Sequence, residues 1–365
     1  MMDKELAVKI IDTAKYYMSG DNCQPFRFRF NLSTQTFHVD YLADKAKHAL
    51  VYDDYTIAIT LGSLLTYILV SLEEHSFSSD VEFNLANFSP FTSQESVIAL
   101  KVIKSGNQSK LATKSLYQAL TKRAVDRRPY LPASFISADE TLLNNNLQLS
   151  QCKLIKNIPQ DLLNFLSNCD CTVWQSKGLG LDIMNSVAFD TKSETGLPWR
   201  NLGLSKAEVF PIKLIQFHHV FFDLLKFIGA RLMMKFAQKK LWVSSQSALV
   251  FSVQAGMSLE EKVNASSEMF NVLLNLTNLG YAFQPSTLST EILNSDIKPK
   301  LNIFSATGIK APYLQSDVAK YRKLLSVETR EIQWILRIGK PSGDLPNNSK
   351  TNRLDTSKIL SFEEE

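Results

Sequence analysis

No Cys-x-x-Cys pair occurs among the four cysteines Cys23, Cys152, Cys169 and Cys171, and the five histidines include no His-x-x-x-His. The sequence therefore lacks the spacings that a zinc site or a thioredoxin-like centre normally needs. Cys169 and Cys171 are separated by a single residue, which leaves a reduced, cytoplasmic protein without structural metal as the plain expectation. Blocks of one charge sign are also missing. With 40 basic and 36 acidic residues the net charge is only +4, spread along the chain, and this argues against a nucleic-acid partner. The first residues, MMDKELAVKIIDTAK, are charged and amphipathic and have no apolar signal core.

Long uncharged runs are scarce. Tyr55 to Leu72 is free of charge for 18 residues, the lower limit for a bilayer helix, but it holds Thr56, Thr60, Gly62, Ser63, Thr66 and Ser71 and has acids on both flanks. A helix apolar all round needs lipid or a protein core, and these features predict a buried central helix and no stable membrane span. Val209 to Ala237 is interrupted by Lys213, Asp223, Lys226, Arg231 and Lys235 and reads as amphipathic helix.

What the chain does have is core material: 45% of its residues are hydrophobic and 21% charged over 365 positions. That suits two domains or one large intertwined domain. Periodicity predicts a helix over Lys4 to Met18, a hairpin from Phe26–Phe30 and Thr36–Tyr41, the apolar helix from Tyr55, and strands at Val81–Leu85 and Ser96–Lys104. The second half repeats this order with interruptions. Helices are expected at Ala138–Leu149, Pro159–Leu166, Ser205–Lys240 and Leu259–Leu279, and strands at Cys152–Lys156, Ser247–Val253 and Gln333–Gly339. In each half a strand ends in basic residues before a Gly turn, at Lys104 to Gly106 and at Lys340 to Gly343, as a duplication would leave it.

Three segments carry candidate chemistry. Met18 to Phe28, MSGDNCQPFRF, joins the first helix to the first strand and clusters small hydroxyl and amide groups. Such groups can satisfy the carbonyl oxygens and nitrogens of a heterocycle without adding charge, although Ser19 or Asn22 would serve equally as a capping turn. Leu120 to Tyr130, LTKRAVDRRPY, holds Arg123 and Arg127, whose guanidinium forks would suit a phosphate, although the segment would serve equally as a solvated basic turn leading into Pro129. Gln333 to Gly343, followed by Lys350-Thr351-Asn352-Arg353-Leu354, adds Lys350, Arg353 and Arg337, the last of which could be either a ligand or a buried strand residue paired to an acid.

Together these segments resemble the nitroreductase family of FMN flavoproteins. Ser19, Asn22, Gln24 and Pro25 match the family's Ser-x-x-Asn-x-Gln-Pro-aromatic run, with Met18 where a Pro is frequent and Phe26 where Trp is frequent. Arg123 and Arg127 match the basic positions of the Arg-x-Ser-x-Arg/Lys element, with Val125 replacing its hydroxyl residue. Arg353 and Lys350 resemble the basic pair that closes on the FMN phosphate. In typical members the basic element comes first and the two elements meet at one flavin only across a homodimer. Here the order is reversed, as a fused dimer would require, similar to a tandem subgroup known from mycobacterial dormancy proteins.

The resemblance implies an α+β nitroreductase-like fold of two pseudo-repeated halves, residues 1–118 and 119–365. Each would have a mainly antiparallel sheet flanked by helices, with central buried helices and a helical insertion at about 191–240. It implies FMN as cofactor, contacted by Ser19, Asn22, Gln24, Pro25, Arg123, Arg127, Arg337, Lys350 and Arg353. It also implies electron transfer from NAD(P)H to a nitroaromatic, quinone-like or other conjugated acceptor, by a monomeric pseudo-dimer or a homodimer. The alternative is an FMN-binding or storage protein whose insertion, with Trp199, covers the pocket. A membrane-surface helix, suggested by Lys213, Lys226, Arg231 and Lys235 beside apolar residues, is the rival reading of that insertion. No side chain stands out as a general base or nucleophile: Cys23 reads as a small filler, and His218 and His219 as packed residues.

Overall fold

The computed structural model describes residues 1–105, 111–131, 152–190, 192–204, 206–245, 247–343 and 351–364. The helix expected at 138–149, and Lys350, lie outside the described residues. The first part of the chain runs α1 (Lys4–Ala14), β1 (Phe26–Asn31), β2 (Thr36–Tyr41), α2 (Tyr55–Glu74), β3 (Phe77–Phe83), β4 (Gln94–Lys104) and α3 (Leu111–Lys122). The next part runs β5 (Cys152–Lys156), α4 (Gln160–Asp170), α5 (Lys177–Asn185), β6 (Val187–Ala188), β7 (Leu197–Pro198), α6 (Lys206–Phe217), α7 (Val220–Phe227) and α8 (Ala230–Ser245). Then follow β8 (Ser247–Gln254), α9 (Leu259–Asn278), β9 (Ala282–Pro285), α10 (Thr287–Asn294), α11 (Ile303–Thr307), α12 (Pro312–Leu325), β10 (Arg330–Gly339) and β11 (Leu360–Glu363).

The fold is mixed α+β. One sheet has the order β11-β1-β2-β4-β3 and the other β5-β8-β10-β9. All pairings within them are antiparallel except that of β1 with β11, which is parallel, so residues from near both ends of the chain share one sheet. The alternation FRFRF dictates β1: Phe26, Phe28 and Phe30 are buried while Arg27 and Arg29 point away. Arg29 then bridges its neighbours on both sides, reaching Asp40 of β2 at 2.8 Å and Glu363 of β11 at 2.6 Å.

The uncharged run forms α2, and it is buried almost throughout. Three of its hydroxyls are satisfied by returning to the helix backbone: Thr60 donates to the Thr56 carbonyl, Thr66 to Gly62 and Ser71 to Tyr67. Helix α9 lies directly against it. A Cβ at Gly62 would come within 2.3 Å of the Ser266 Cβ and 2.7 Å of the Val263 carbonyl oxygen, so only glycine permits this approach. An ion network ties the start of α2 to the second sheet. Lys298 bridges Asp53 and Glu331 at 2.8 Å each, and Lys262 bridges Asp54 and Glu331 at 3.2 Å each.

The expected single block over 205–240 is three helices. The chain breaks between α6 and α7 at His218 and His219, and again at Gly229, whose φ of 97° is open to glycine. Both histidines are exposed, which corrects the expectation that they pack. A hydrophobic inner face, with Ile215, Phe222 and Trp242 buried, fixes the three helices to the second core.

Candidate functional site

A cavity of about 790 Å³ lies where several stretches of chain meet: the loop after α1, the loop before α2 with the first turns of that helix, residues 121–127 at and after the end of α3, residues 182–201, Pro285 with Thr287, Trp334 of β10, and the segment carrying Thr351 and Arg353. This falls within the usual size of a small-molecule site. Ser19, Asn22, Pro25, Arg123, Arg127 and Arg353 all line it, so the structure brings six of the nine sequence-selected residues to one place.

The loop at residues 19–24 is wound tightly. Asp21, Asn22 and Gln24 have φ of 48°, 57° and 49°, a left-handed conformation that non-glycine residues adopt at a cost of about 1 kcal/mol or more each. Among the bonds that hold it, the Gln24 amide donates to the Ser19 hydroxyl at 3.1 Å, and the Met18 amide to the Ser63 hydroxyl of α2 at 2.8 Å. The Asn22 side-chain nitrogen donates toward the carbonyls of Glu194 and Gly196 at 3.3 Å and Asn352 at 3.0 Å. Its Oδ1 is buried without a partner. Gln24 does not line the cavity. Its amide nitrogen donates to the Glu194 carbonyl at 2.7 Å and its oxygen accepts from the Leu354 amide at 2.9 Å, so this side chain joins three segments of chain.

The arginines are placed by the end of α1. Arg123 donates from Nε to the Tyr67 hydroxyl at 2.6 Å and from a terminal nitrogen to the Tyr16 carbonyl at 3.2 Å. Arg353 donates to the Lys15 carbonyl at 3.0 Å and the Tyr17 carbonyl at 3.3 Å. Helix-end carbonyls lack intrahelical donors, which is why two guanidiniums can gather there. Arg127 donates to the Asn201 side-chain oxygen at 2.7 Å.

Among the described residues no carboxylate lies within salt-bridge distance of Arg123, Arg127 or Arg353. The acids on the wall are engaged elsewhere. Asp21 faces His48 at 3.3 Å, Asp44 pairs with Lys45 at 3.0 Å, and Asp182 accepts from the Ala49 amide at 2.8 Å. Burial, and then the like charge of Arg123, pushes the Arg353 guanidinium down to about 10, and burial likewise lowers Arg127. These are cations held in a partly dry site without their own counter-ions, a setting that favours an incoming anion.

Arg337 is not on the cavity wall. Its guanidinium lies 4.0 Å from the centre of the Tyr130 ring, and it donates to the Gln284 side chain at 2.6 Å and to the Asp126 and Arg128 carbonyls at 3.2 and 2.9 Å. It therefore clamps the backbone on either side of Arg127. Trp199 is also off the wall, while its neighbours Leu197 and Asn201 are on it. Burial, with Asp21 adding to it, pushes the Cys23 thiol up to about 12, so it stays protonated at neutral pH.

Sequence reasoning missed the Asp21–His48 pair and the loop that carries Lys45, Lys47 and His48 along the wall. Burial works against protonation of His48, yet Asp21 beside it and Asp182 nearby raise its pKa above the ordinary value. Apolar wall comes from Leu50, Val51, Ile57, Ile59 and Val187, with Trp334 beyond them. The cavity is thus cationic in one part and apolar in another. Among the described residues no group of three His, Cys, Asp or Glu side chains is placed to hold a metal ion.

No protein-family model matches this chain, and no curated protein matches it. Solved structures to which it is similar include the FMN-dependent nitroreductase NfnB from Mycobacterium smegmatis in complex with NADPH, at 12% identity and TM-score 0.37, over 68% of this chain and 98% of that one. Another is the FMN and NADPH-dependent nitroreductase NfnB from sphigopyxis sp. strain HMH, at 12% identity and TM-score 0.35, again over 68% and 98%. At these scores the likeness bears no functional weight.

Proposed function

We propose that this chain is an FMN-dependent oxidoreductase of nitroreductase type, passing electrons from NAD(P)H to a nitroaromatic, quinone-like or other conjugated acceptor. The observation that carries the reading is the convergence of Arg123, Arg127 and Arg353 on one cavity, together with the 19–25 loop, with no described carboxylate spent on any of them. The group fits the residues present. A planar heterocycle with an anionic tail needs apolar wall, a few neutral hydrogen-bonding groups and a cationic end, and Asn22 has a buried acceptor without a partner.

Ser19, Asn22 and Pro25 would border the ring system, and Arg123, Arg127 and Arg353 the phosphate. Gln24 and Arg337 would act at one remove, by fixing the loop and the backbone around Arg127. Lys350 belongs to the same proposal. Bound FMN would supply two-electron chemistry, alternately accepting from the nicotinamide nucleotide and donating to the acceptor. The protein would bind, orient and exclude water. The halves at 1–118 and 119–365, fused as in a pseudo-dimer with an insertion at about 191–240, belong to this reading. It is supported by the meeting of residues from both halves at one cavity.

A second reading, FMN binding with little turnover, is favoured by the latch over the site. Asn22 and Gln24 hold the Glu194 carbonyl, and the Glu194 side chain pairs with Lys358 at 2.7 Å. Anaerobic titration of the FMN-loaded protein with NADPH and NADH separates the two. Bleaching of the flavin band, with recovery on adding a quinone, supports the enzyme. A yellow protein that neither nucleotide bleaches supports the binding protein, and failure to retain FMN after reconstitution rejects both.

A further inference from the structure

Helices α6, α7 and α8 turn large apolar side chains outward where no described residue covers them. Phe217 is 85% exposed, Phe227 89%, Met233 71% and Phe236 66%. Phe217 stands at the corner between α6 and α7, and Phe227 at the corner between α7 and α8, so each bend carries an aromatic tip. The inner faces are used for packing and the outer ones are free. Lone exposed apolar residues are ordinary, but a group of this size on consecutive helices is not.

Charge says what would cover it. Residues 206–245 hold seven Lys or Arg and two Asp or Glu, an excess of five in a chain whose whole net charge is +4. One of the two acids, Asp223, is taken by Lys177 at 2.5 Å. Among the described residues no carboxylate lies within salt-bridge distance of Lys213, Lys226, Arg231, Lys235, Lys239 or Lys240. Two copies of such a face would repel each other, whereas an anionic lipid surface is complementary to it. Long basic side chains can extend to phosphates while the apolar side chains between them enter the acyl boundary.

We propose that α6, α7 and α8 seat the protein on the surface of an anionic phospholipid bilayer, with Phe217 and Phe227 entering it and the lysines meeting the headgroups. The seat adjoins the cavity. On α6 the Gln216 side chain donates to the Met184 carbonyl at 2.7 Å and the Val187 carbonyl at 2.9 Å, and Val187 is part of the cavity wall. The inference stands independently of the flavin reading.

The test is co-sedimentation of the full chain with vesicles of phosphatidylcholine alone and of phosphatidylcholine with about 30 mol% phosphatidylserine. Binding is expected to the second and not the first, and to fall with added salt. Lys226→Gln, Lys235→Gln and Lys239→Gln together should weaken it roughly 100-fold, at about fivefold per charge. Phe217→Ser with Phe227→Ser should abolish it. All five side chains are exposed, so circular dichroism and the melting temperature should not change. No binding to anionic vesicles, equal binding to neutral ones, or binding indifferent to both sets of substitutions would overturn the proposal. So would a dimer, seen by sedimentation velocity without lipid, that the two Phe substitutions disperse, because the face would then belong to a second copy.

Discussion

Raising the pH should loosen the fold through Glu291, a carboxyl in α10 that is 1% exposed. Its Oε2 accepts the Tyr52 hydroxyl at 2.5 Å and its Oε1 has no partner. Burial, reinforced by the negative charges of Asp53 and Glu331, lifts it from the ordinary 4.5 to about 8, with Lys298 and Tyr52 pulling the other way. The folded protein therefore keeps a proton that the unfolded chain releases above about pH 4.5. Stability from this group is full below that value and is lost as pH climbs to about 8. Each tenfold change in proton affinity is worth about 1.4 kcal/mol, so the whole swing is at most about 5 kcal/mol, with about 3 kcal/mol gone by neutrality.

Glu291→Gln keeps the shape of the neutral acid and removes the titration. Urea unfolding of both proteins between about pH 5 and pH 9 should show the variant gaining on the parent by at most about 1.4 kcal/mol for each step of one in pH, then levelling off above about pH 8. A constant difference across that range would refute the reasoning, since Glu291 would then titrate alike in both states. The site is involved because Thr287, at the start of the same helix, and Pro285, at the end of β9 just before it, lie on the cavity wall.

Replacing Arg353 or Arg123 by Gln should weaken FMN binding about 10- to 100-fold, the value of one charge-assisted hydrogen bond, as read by quenching of flavin fluorescence. Unchanged affinity would remove them from the anion site. Gly62→Ala should destabilise by about 1–3 kcal/mol, because the added methyl meets α9 backbone, and a lowered melting temperature would register it. Glu331→Ala, which takes one of two carboxylate partners from each of Lys262 and Lys298 and leaves them Asp54 and Asp53, should lose about 1–3 kcal/mol in urea unfolding.

The elements legible in the sequence are those whose signal is local. The uncharged run from Tyr55 could only be a helix needing cover on all sides, and FRFRF with TFHVDY could only be a hairpin with one buried face. β11 was not legible: Leu360–Glu363 is four residues long, and its partner β1 lies more than 300 positions away. Helices α10 and α11, of eight and five residues, were missed because they are short, and the 14-residue α12 was missed as well.

At the cavity, residue type located the arginines and the Asn-x-Gln loop but not the task of each side chain. Gln24 looks like a ligand by amino-acid type, and Arg337 like either a ligand or a buried strand residue, yet both bond to backbone groups that only the fold supplies. The Asp21–His48 pair depends on the left-handed turn at Asp21, Asn22 and Gln24, a geometry that carries no sequence signature without glycine.

The parallel partnership of β1 with β11 fixes when the pocket can exist. During synthesis every other wall can be laid down with residue 351 still inside the ribosome, but Thr351 and Arg353 arrive with the strand that edges the first sheet. A message cut before codon 351 would yield a chain with most of its interior intact and its anion clasp open. The site is complete only once that short closing segment, which brings Ile359 and Leu360 into the first core, has joined the sheet.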